Sequence, residues 1–561
     1  MPTLNWIGKE AVVNHHHAVP FHLLRDVPEL SVGEPGAGNL IVQGDYLVAL
    51  KALLPYYAGQ VKCIYIDPPY NTGNEGWIYN DNVSSPVIRD WLGKAVGKEA
   101  EDLSRHDKWL CMMVPRLALL KQFLADDGVM FISIDDTELA SLRIILDEMF
   151  PHAQAKNRLA CFAWETDGNF DNQAKIKNCH EYVLAYSKCF DKFPPPPVID
   201  SSISKDSKLF RAEIRNTIVK NGPKNPVSPI ALPKGFPADF ADGLIPARND
   251  KWPHYDSDLE VKDGKLLEPA IASSGWSSKS ICEEFIATGF QPVIDSKGQK
   301  TRFVITRTGA IECIKVRSES QSHVISVIRD VGSTQSTSEM LGEMGIKFAF
   351  PKPSGLVSYL ISMVADKSAT ILDSFAGSGT TGHAVLNLNK ADGGNRKFIL
   401  VEMESNIARD ITAERVKRVA QGYTNAKGER VEGLGGGFRF CELGEKMFDE
   451  SGKIRDTVRF ADLARHVYFT ETGEPLPRER VGKSPLLGIT GVGVAVYLLY
   501  NGILKDKSVD GGNVLTNATL ALLPAHAGAK VIFAAGCRFS RERQKRENIT
   551  FKQTPYAIRL Q

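Results

Sequence analysis

The stretch IYIDPPYNTG, residues 64–73, places an acid, two prolines and an aromatic ring directly after an apolar run. Proline has no backbone N–H and is excluded from the interior of a sheet or helix, so the strand must end near the acid. Asp67 and the carbonyl of Pro68 are two hydrogen-bond acceptors, and the rigid pair Pro68–Pro69 can direct both at one donor. Tyr70 adds a ring face for stacking. This combination predicts a site that binds an amine on a planar group.

The exocyclic amine of a nucleobase fits such a site. Its nitrogen donates its lone pair into the ring and is a poor nucleophile, but two acceptors on its hydrogens favour a tetrahedral nitrogen and free that pair. An extruded base would stack on Tyr70, which is worth about 1–3 kcal/mol per base. Attack on a sulfonium methyl then needs no metal, phosphate or covalent intermediate. The same tetrapeptide also fits a type I turn with a core tyrosine, and alone it leaves both interpretations open.

A second motif, DSFAGSGTTGHAV (373–385), follows an apolar strand and opens a helix. Gly377, Gly379 and Gly382 match the pattern Gly-x-Gly-x-x-Gly, and Glu402 lies about 20 residues further on, where an acid would reach ribose hydroxyls. This spacing is typical of a site for a nicotinamide dinucleotide.

The glycine loop alone does not specify its ligand. S-adenosylmethionine carries a cationic sulfonium and an amino group, which favour a nearby carboxylate such as Asp373. A purely structural turn is the third interpretation. A phosphate-binding P-loop is excluded because His383 stands where the lysine is required.

Strands and helices alternate around both motifs. Strands are predicted at 61–67, 128–135, 181–188 and 397–404, and helices at 106–124 and 136–149, the second capped by Asp135 or Asp136. This alternation predicts an α/β fold with a mostly parallel sheet, in which ligands bind at the ends of strands. Two motifs at strand ends of one sheet are far more specific together than either is alone.

The alternation breaks at FPPPPV (193–198), and the following residues combine dispersed lysines and arginines with aromatic residues. The aromatic residues are Phe210, Trp252, Tyr255 and Trp276. This mixture suits phosphate positioning and base contacts, although an ordinary solvated domain would also show it. The predicted division is 1–190 and 346–445 for the two parts of one α/β domain, 191–345 for a basic insert, and 446–561 for a smaller C-terminal domain.

The composition limits the possible settings. A net charge of +2 is nearly neutral, so a nucleic-acid surface must come from local clustering. The nine cysteines lack paired spacing, which argues against a zinc site or a disulfide framework and favours a reducing cytoplasm. No apolar run reaches membrane length, and the N-terminus lacks a secretion signal.

The two motifs together, DPPYNTG and DSFAGSGTTGHA, resemble the amino-methyltransferases of DNA. The catalytic motif precedes the cofactor motif with an insert between them, as in the permuted β group of that family. The segments NLIVQGDYLVALKALLPYYAGQVKCIYIDPPYNTGNEGWIYND, NCHEYVLAYSK and FAFPKPSGLVSYLI are similar to the modification subunits of Type III restriction–modification systems. The resemblance implies a Rossmann-like methyltransferase sheet with permuted motif order, and it covers approximately 1–190 and 346–445.

The resemblance also implies residue roles. The implied catalytic set is Asp67, Pro68, Pro69 and Tyr70. The implied S-adenosylmethionine set is Asp45, Lys352, Asp373, Phe375, Gly377, Gly379 and Glu402, with no metal. Within it, Asp45 would reach the adenine of the cofactor and Lys352 would close the pocket, although a turn acid and a surface lysine are equally compatible with these two positions.

The expected function is methylation of the N6 amine of adenine in double-stranded DNA. Asp at the start of the tetrapeptide favours adenine, whereas cytosine N4 presents the same amine geometry. The resemblance implies a homodimer, and any restriction activity would need a partner nuclease–translocase. The alternatives are a subunit that mainly brings such a partner to DNA, and a nicotinamide-dependent oxidoreductase, which would leave Asp-Pro-Pro-Tyr unexplained.

Overall fold

The computed structural model describes residues 3–33, 38–72, 104–166, 175–200, 213–296, 298–316, 324–506 and 511–558, with single residues at 94, 203 and 508. Gly73 of the first motif and Phe210 of the insert lie outside these residues. The chain divides into two compact units, one of Met1–Pro194 with Ile325–Gln561 and one of Pro195–Val324. All nine cysteines are described, and all are free thiols. None of the helices in the described ranges is both long enough and apolar enough to cross a membrane.

The part of the first unit before the insert contains the strand that leads into the first motif. Its strands are β1 (His22–Asp26), β2 (Leu40–Gln43), β3 (Val61–Ile66), β4 (Leu124–Ile134), β5 (Arg158–Glu165) and β6 (His180–Ser187). Its helices are α1 (Lys9–Val12), α2 (His15–Ala18), α3 (Tyr46–Tyr57), α4 (Arg105–Phe123) and α5 (Leu139–Met149), with 3₁₀ turns at Pro28–Leu30 and Phe190–Lys192.

Two boundaries in this part differ from the sequence prediction. Strand β4 begins at Leu124, because Leu124 pairs with Val61 before the register shifts at Cys63. Helix α5 begins at Leu139 without a side-chain cap. The predicted cap Asp135 instead accepts hydrogen bonds from the backbone N–H and the hydroxyl of Thr137, which holds a turn before the helix.

The second unit is a separate antiparallel structure. Its elements are β7 (Glu213–Thr217), β8 (Ser228–Leu232), β9 (Gly243–Ile245), β10 (His254–Tyr255), β11 (Leu259–Lys262), β12 (Lys265–Leu266), β13 (Ala270–Ser274), α6 (Lys279–Ala287), β14 (Val293–Ile294), β15 (Lys300–Ile305) and β16 (Ile311–Val316). They form three small sheets around a core that includes Phe236, Phe285 and Phe303.

The aromatic residues of this unit divide into two groups. Tyr255 and Trp276 are core residues, with their polar atoms hydrogen-bonded to the carbonyls of Gly309 and Ser228. The prediction that these two contact bases is therefore wrong. Trp252 is 42% exposed and stacks on His254 with 3.7 Å between ring centroids.

The chain after the insert completes the first unit. Its strands are β17 (Val327–Ile328), β18 (Thr370–Asp373), β19 (Lys397–Glu402), β20 (Gly422–Thr424), β21 (Arg430–Glu432), β22 (Arg439–Lys446), β23 (Leu486–Ile489), β24 (Ala495–Leu498), β25 (Val514–Leu515), β26 (Lys530–Ala534), β27 (Gly536–Cys537) and β28 (Ile549–Gln553). Its helices are α7 (Thr334–Glu343), α8 (Ser354–Val364), α9 (Thr380–Asp392), α10 (Ser405–Ile407), α11 (Glu414–Gln421), α12 (Phe460–Thr472), α13 (Asn517–Leu522) and α14 (Arg541–Arg546), with a π-helix at Ala408–Ala413 and 3₁₀ turns at Arg478–Arg480 and Tyr556–Ile558.

Ten strands form the central sheet, in the order β1-β22-β2-β19-β18-β3-β4-β6-β5-β17. The six strands from β22 to β4 are parallel, and β6 is antiparallel to both of its neighbours. The predicted α/β fold with permuted order is confirmed, because β18 and β19 come late in the chain and lie between β2 and β3. The carboxyl ends of β3 and β18, where the two motifs begin, are therefore adjacent.

The chain beyond β22 packs against the same unit. It forms a four-stranded sheet in the order β23-β24-β26-β28, and α12 contacts α3. Residues 446–561 are thus part of the same compact unit as the central sheet.

Two glycines at the ends of α9 allow a matched test of the glycine loop. Gly379 (φ 79°) and Gly393 (φ 69°) both have left-handed backbone. A Cβ on Gly379 would lie 3.1 Å from the carbonyl oxygen of Thr412 and 3.3 Å from Val416, whereas a Cβ on Gly393 meets nothing within 4 Å. Alanine costs about 1–2 kcal/mol at either position for the backbone alone. We expect G379A to lower the melting temperature clearly more than G393A in thermal unfolding, and equal shifts would contradict the close packing at Gly379.

Candidate active site

A hydrogen bond from helix α4 fixes the Asp-Pro-Pro-Tyr loop. Asp67 directly follows β3, and the buried indole of Trp109 donates a hydrogen bond to the carbonyl oxygen of Pro69 at 2.6 Å. The Pro68 carbonyl accepts no hydrogen bond from the described residues. The loop is thus fixed at Pro69 while the acceptor one residue earlier is left available.

The end of the loop is anchored by a buried acid. Asn71 is fully buried with φ 61°, a left-handed conformation that asparagine tolerates. Its side-chain amide donates to Glu138 at 2.5 Å, and His106 contacts the same carboxylate oxygen at 2.6 Å. Glu138 has no exposed surface, so this contact ties the loop to the segment before α5.

Asp67, Tyr70, Glu181 and Lys352 form a charged cluster, which we call the Asp67 cluster. The Lys352 ammonium lies 3.1 Å from Asp67 Oδ2 and 3.4 Å from Glu181 Oε2, and its side chain is 8% exposed. The Tyr70 hydroxyl donates to Glu181 Oε2 at 2.8 Å, and Lys352 Nζ lies 4.8 Å from the Tyr70 ring centroid. Asp67 Oδ1 is buried and has no hydrogen-bond partner among the described residues.

Opposing effects set the charge states of the Asp67 cluster. Burial raises the pKa of Asp67, the Lys352 ammonium lowers it, and Glu181 raises it further, with a net rise. Burial lowers the pKa of Lys352, but the carboxylates of Asp67 and Glu181 raise it above its usual value. Lys352 therefore stays protonated and supplies the positive charge that permits a carboxylate at Asp67.

Asp373 is the last residue of β18, the strand that pairs with β3. Its Oδ1 accepts from the backbone N–H of Phe375 at 3.0 Å, and its Oδ2 accepts from the hydroxyl of Thr381 at 2.6 Å. Burial raises the pKa of Asp373 to about 7 despite these two hydrogen bonds. A cation beside it would favour the ionised form.

Glu402 closes the glycine loop from the end of β19. Its Oε2 accepts from the backbone N–H of Gly377 at 2.8 Å, and its Oε1 accepts from the hydroxyl of Tyr46 at 3.1 Å and from the backbone N–H of Glu404 at 3.0 Å. Burial raises the pKa of Glu402. A ribose hydroxyl would have to replace one of these contacts, and the predicted ribose role stays a prediction.

Asp45 acts as a helix cap. Its Oδ1 accepts from the backbone N–H groups of Leu47 and Val48, both at 3.0 Å, and its Oδ2 lies 3.7 Å from Arg116. Asp45 does not line the pocket beside Asp67. Its contact with a cofactor stays a prediction.

One small pocket, of about 30 Å³, joins the two motifs. Of the residues proposed from the sequence, its walls include Asp67, Lys352, Asp373, Phe375 and Gly377. Tyr70 and Glu402 do not line the pocket but contact residues that do. The Tyr70 ring contacts Lys352, and Glu402 accepts a hydrogen bond from the backbone N–H of Gly377.

The sequence reasoning missed several residues of this site. Glu181 lies at the start of the predicted strand 181–188, and nothing in its local pattern indicates a partner beyond the insert. The pocket walls also include the rings of Phe348 and Phe350, just before the PKP segment. Both residues belong to the segment FAFPKPSGLVSYLI that carries the family resemblance, but the resemblance assigns them no role.

The buried Arg415 of α11 forms hydrogen bonds with the glycine loop. Its guanidinium donates to the hydroxyls of Ser378 at 2.7 Å and Thr380 at 2.8 Å, and it lies 3.3 Å from His383. Arg415 is fully buried, and no carboxylate among the described residues pairs with it. Burial lowers the pKa of Arg415 to about 9. The charge is balanced by oxygen dipoles of the loop, so loop and helix must fold together.

The comparisons with known proteins agree with this arrangement. The family model described as DNA methylase, N6_N4_Mtase, matches residues 61–414. The chain therefore belongs to the DNA methylase family. The Type III restriction–modification enzyme EcoPI Mod subunit of Escherichia phage P1 is 30% identical over 432 residues, which are 72% of this chain and 64% of that subunit. The predicted resemblance to Type III modification subunits is confirmed.

Other relatives show different coverage. The StyLTI Mod subunit of Salmonella typhimurium is 30% identical over 68% of this chain and 57% of that subunit. The Type II methyltransferase M.KpnI of Klebsiella pneumoniae is 28% identical over 69% of this chain and 89% of its own length. The chain thus spans about three fifths of the first two Mod subunits. A solved PvuII DNA methyltransferase (cytosine-N4-specific) aligns with 12% identity and a TM-score of 0.30, over 68% of this chain and 86% of that one.

Removal of the central ammonium tests the Asp67 cluster. We expect K352M to lower the free energy of unfolding by about 3 kcal/mol at pH 8, because it leaves buried carboxylates unpaired. Without Lys352 the pKa of Asp67 rises further, so the folded state binds a proton that the unfolded state releases, and the loss shrinks as the pH falls. Urea unfolding at pH 8 and pH 5, followed by tryptophan fluorescence, measures this. K347M changes an exposed lysine in the same segment, and equal effects of both variants would contradict the prediction.

Proposed function

We propose that the chain moves a methyl group from S-adenosylmethionine to the N6 amine of adenine in double-stranded DNA, with the target base flipped out. The observation that carries this proposal is the pair of available acceptors at the end of β3. Asp67 Oδ1 and the Pro68 carbonyl have no partners among the described residues, although Oδ1 is buried. A buried acceptor without a donor is costly unless a ligand supplies one.

The Asp67 cluster would orient the amine. Lys352 holds Asp67 through Oδ2 and so turns Oδ1 toward a ligand. The Pro68 carbonyl takes the second amine hydrogen, which frees the nitrogen lone pair for attack. Tyr70, fixed through its hydroxyl to Glu181, provides the ring on which the base stacks.

The reaction needs no group beyond these and the cofactor. S-adenosylmethionine supplies an electrophilic methyl on a sulfonium, and the new C–N bond forms as the C–S bond breaks. Asp67 then accepts or passes on the proton that leaves N6. Its raised pKa makes it a better proton acceptor than an ordinary surface aspartate.

The pocket between the motifs has suitable groups for this cofactor. The buried carboxylate of Asp373 would attract the sulfonium and ammonium charges. The ring of Phe375 would contact the adenine, and Gly377 allows the backbone to approach closely. Glu402 would exchange a present hydrogen bond for a ribose hydroxyl. Lys352 would close the pocket beside Asp67, and Gly379 forms the start of helix α9.

The remaining parts of the chain receive broader assignments. We assign target recognition to residues 191–345, where Trp252 stacks on His254 and stays partly exposed. Residues 1–190 and 346–445 carry catalysis and cofactor binding, and 446–561 are an accessory part. The resemblance to Type III modification subunits supports a homodimer and a partner nuclease–translocase, with free thiols in keeping with a reducing cytoplasm.

The cytosine-N4 alternative presents the same amine to the same acceptors. A role in which the chain mainly brings a nuclease–translocase to DNA is compatible with methyl transfer. The experiment below distinguishes adenine from cytosine directly.

Methyl transfer from labelled S-adenosylmethionine to unmethylated genomic DNA, followed by nucleoside analysis, tests the proposed reaction. We expect N6-methyladenine from the unaltered protein and a loss of about 10²-fold or more in D67A, because one of the two acceptors is gone. Cofactor binding should persist in D67A. The matched control D136A removes an exposed acid after the neighbouring strand β4.

Three results would overturn parts of this proposal. Methylcytosine as the sole product would replace adenine with cytosine. Full transfer by D67A would remove Asp67 from the mechanism. Absence of DNA methylation together with nicotinamide binding would replace the reaction class.

Asp373 predicts a pH dependence of cofactor binding. Its pKa of about 7 means that the carboxylate is neutralised as the pH falls below 7, so its attraction for a cation is lost. We expect the affinity for S-adenosylmethionine to fall from pH 8 to pH 6 in calorimetric titrations. D373N should bind more weakly at pH 8 and show little change across this range, and a flat profile in the unaltered protein would contradict this role.

A further inference from the structure

A second cavity lies at the amino ends of the parallel strands of the central sheet, whereas Asp67 lies at their carboxyl ends. Its volume is about 310 Å³, against about 30 Å³ for the pocket between the motifs. Leu40 and Arg439, the first residues of the parallel strands β2 and β22, are paired in the sheet and line this cavity. Asp67 instead follows the carboxyl end of β3, so a ligand in this cavity would not touch the residues proposed for methyl transfer.

Three arginines from separate elements line this cavity, which we call the arginine pocket. Arg439 begins β22, Arg465 belongs to α12, and Arg478 begins the 3₁₀ turn Arg478–Arg480. Tyr56 and Tyr57, at the end of α3, complete the polar wall. The C-terminal part of the chain and the central sheet thus build the arginine pocket together.

The positive charge of the arginine pocket is only partly balanced. Arg439 lies 3.3 Å from Asp26, and Arg465 lies 3.6 Å from Asp462. Asp462 also pairs with a fourth arginine outside the pocket, at 2.9 Å. Arg478 has no carboxylate partner among the described residues. The arginine pocket therefore carries an excess of positive charge.

Tyr56 and Tyr57 line the same cavity as the three arginines, and the Arg465 guanidinium lies 4.7 Å from the ring centroid of Tyr56. Burial raises the pKa of Tyr57, and Arg478, Arg439 and Arg465 oppose that rise. The hydroxyls of Tyr56 and Tyr57 have no hydrogen-bond partner in the part of the chain that the structure describes. Two phenol donors and three guanidinium groups thus line one cavity, and one of these guanidinium groups, that of Arg478, has no carboxylate partner among the described residues.

We propose that the arginine pocket binds a phosphate-bearing small molecule, with a diphosphate as the recognised group. Guanidinium groups bind phosphate oxygens in a planar, bidentate manner, and phenol hydroxyls donate to the same oxygens. A diphosphate offers several charged oxygens to the three arginines, whereas a carboxylate offers two. Five chain segments enclose the cavity, which suits a compact ligand more than an extended chain.

Calorimetric titration of the full-length protein with pyrophosphate tests the proposal, with no cofactor or DNA present. We expect saturable binding by the unaltered protein and an affinity about tenfold weaker in R478Q, because a charge-assisted contact is lost. R480Q is the matched control, since Arg480 is exposed in the same 3₁₀ turn but does not line the cavity. Thermal unfolding of each variant establishes that it is folded, and Y57F, which removes only the hydroxyl, should also bind more weakly.

Four results would overturn the proposal. The first is the absence of pyrophosphate binding by the folded, unaltered protein. The second is an equal loss of affinity in R478Q and R480Q. The third is binding of succinate as tight as that of pyrophosphate, which would indicate a carboxylate site. The fourth is a weaker affinity of R478Q for a short DNA duplex without any pyrophosphate binding, which would assign Arg478 to the DNA backbone. None of these results depends on methyl transfer.

Discussion

The ion pair between Lys352 and Asp67 joins the two halves of the central unit across the whole insert. It brings the residue after β3 to a lysine two positions before α8, and it depends on β18 lying next to β3 in the sheet. Without that strand order, the acid of the first motif and the lysine of the PKP segment would lie on unrelated surfaces. The site is therefore a consequence of the topology, and the topology places a fixed charge where the two motifs meet.

The balance of charge around this pair determines which ligand charge the pocket favours. Asp373 and Glu402 are buried and Asp67 is partly buried, at the ends of three neighbouring strands, and burial raises the pKa of each carboxyl group. Lys352 is the ammonium that faces Asp67 and Glu181. A pocket with more buried acids than bases gains from a cationic ligand, because the ligand reduces the cost of ionised carboxylates. The same excess opposes a dinucleotide, whose phosphates are negative.

Much of this arrangement was predictable from local sequence. The apolar runs before Asp67 and Asp373 predict their strands, and proline chemistry predicts the rigid loop after β3. The capping role of Asp45 is also local, because its hydrogen bonds reach only Leu47 and Val48. The enclosed hydrogen bonds of Glu402 and the partner of Tyr70 at Glu181 depend on contacts between distant segments, and no local pattern encodes these. The burial of Tyr255 and Trp276 has the same origin, since composition does not distinguish an aromatic residue in a core from one on a surface.

The position of β18 and β19 between β2 and β3 also affects how the chain is made. During synthesis β2 and β3 emerge early, but the strands that separate them follow only after the insert. Until β18 has left the ribosome, β3 lacks a partner on one edge, and until β19 and β22 have emerged β2 lacks partners on both edges; the side chains of both strands are strongly apolar. The sheet can close only when contacts form between residues that are far apart in the sequence. Such contacts form slowly, and until they form the exposed strand edges can pair with other chains. The strand order that assembles the site thus makes the nascent protein dependent on protection while it is incomplete.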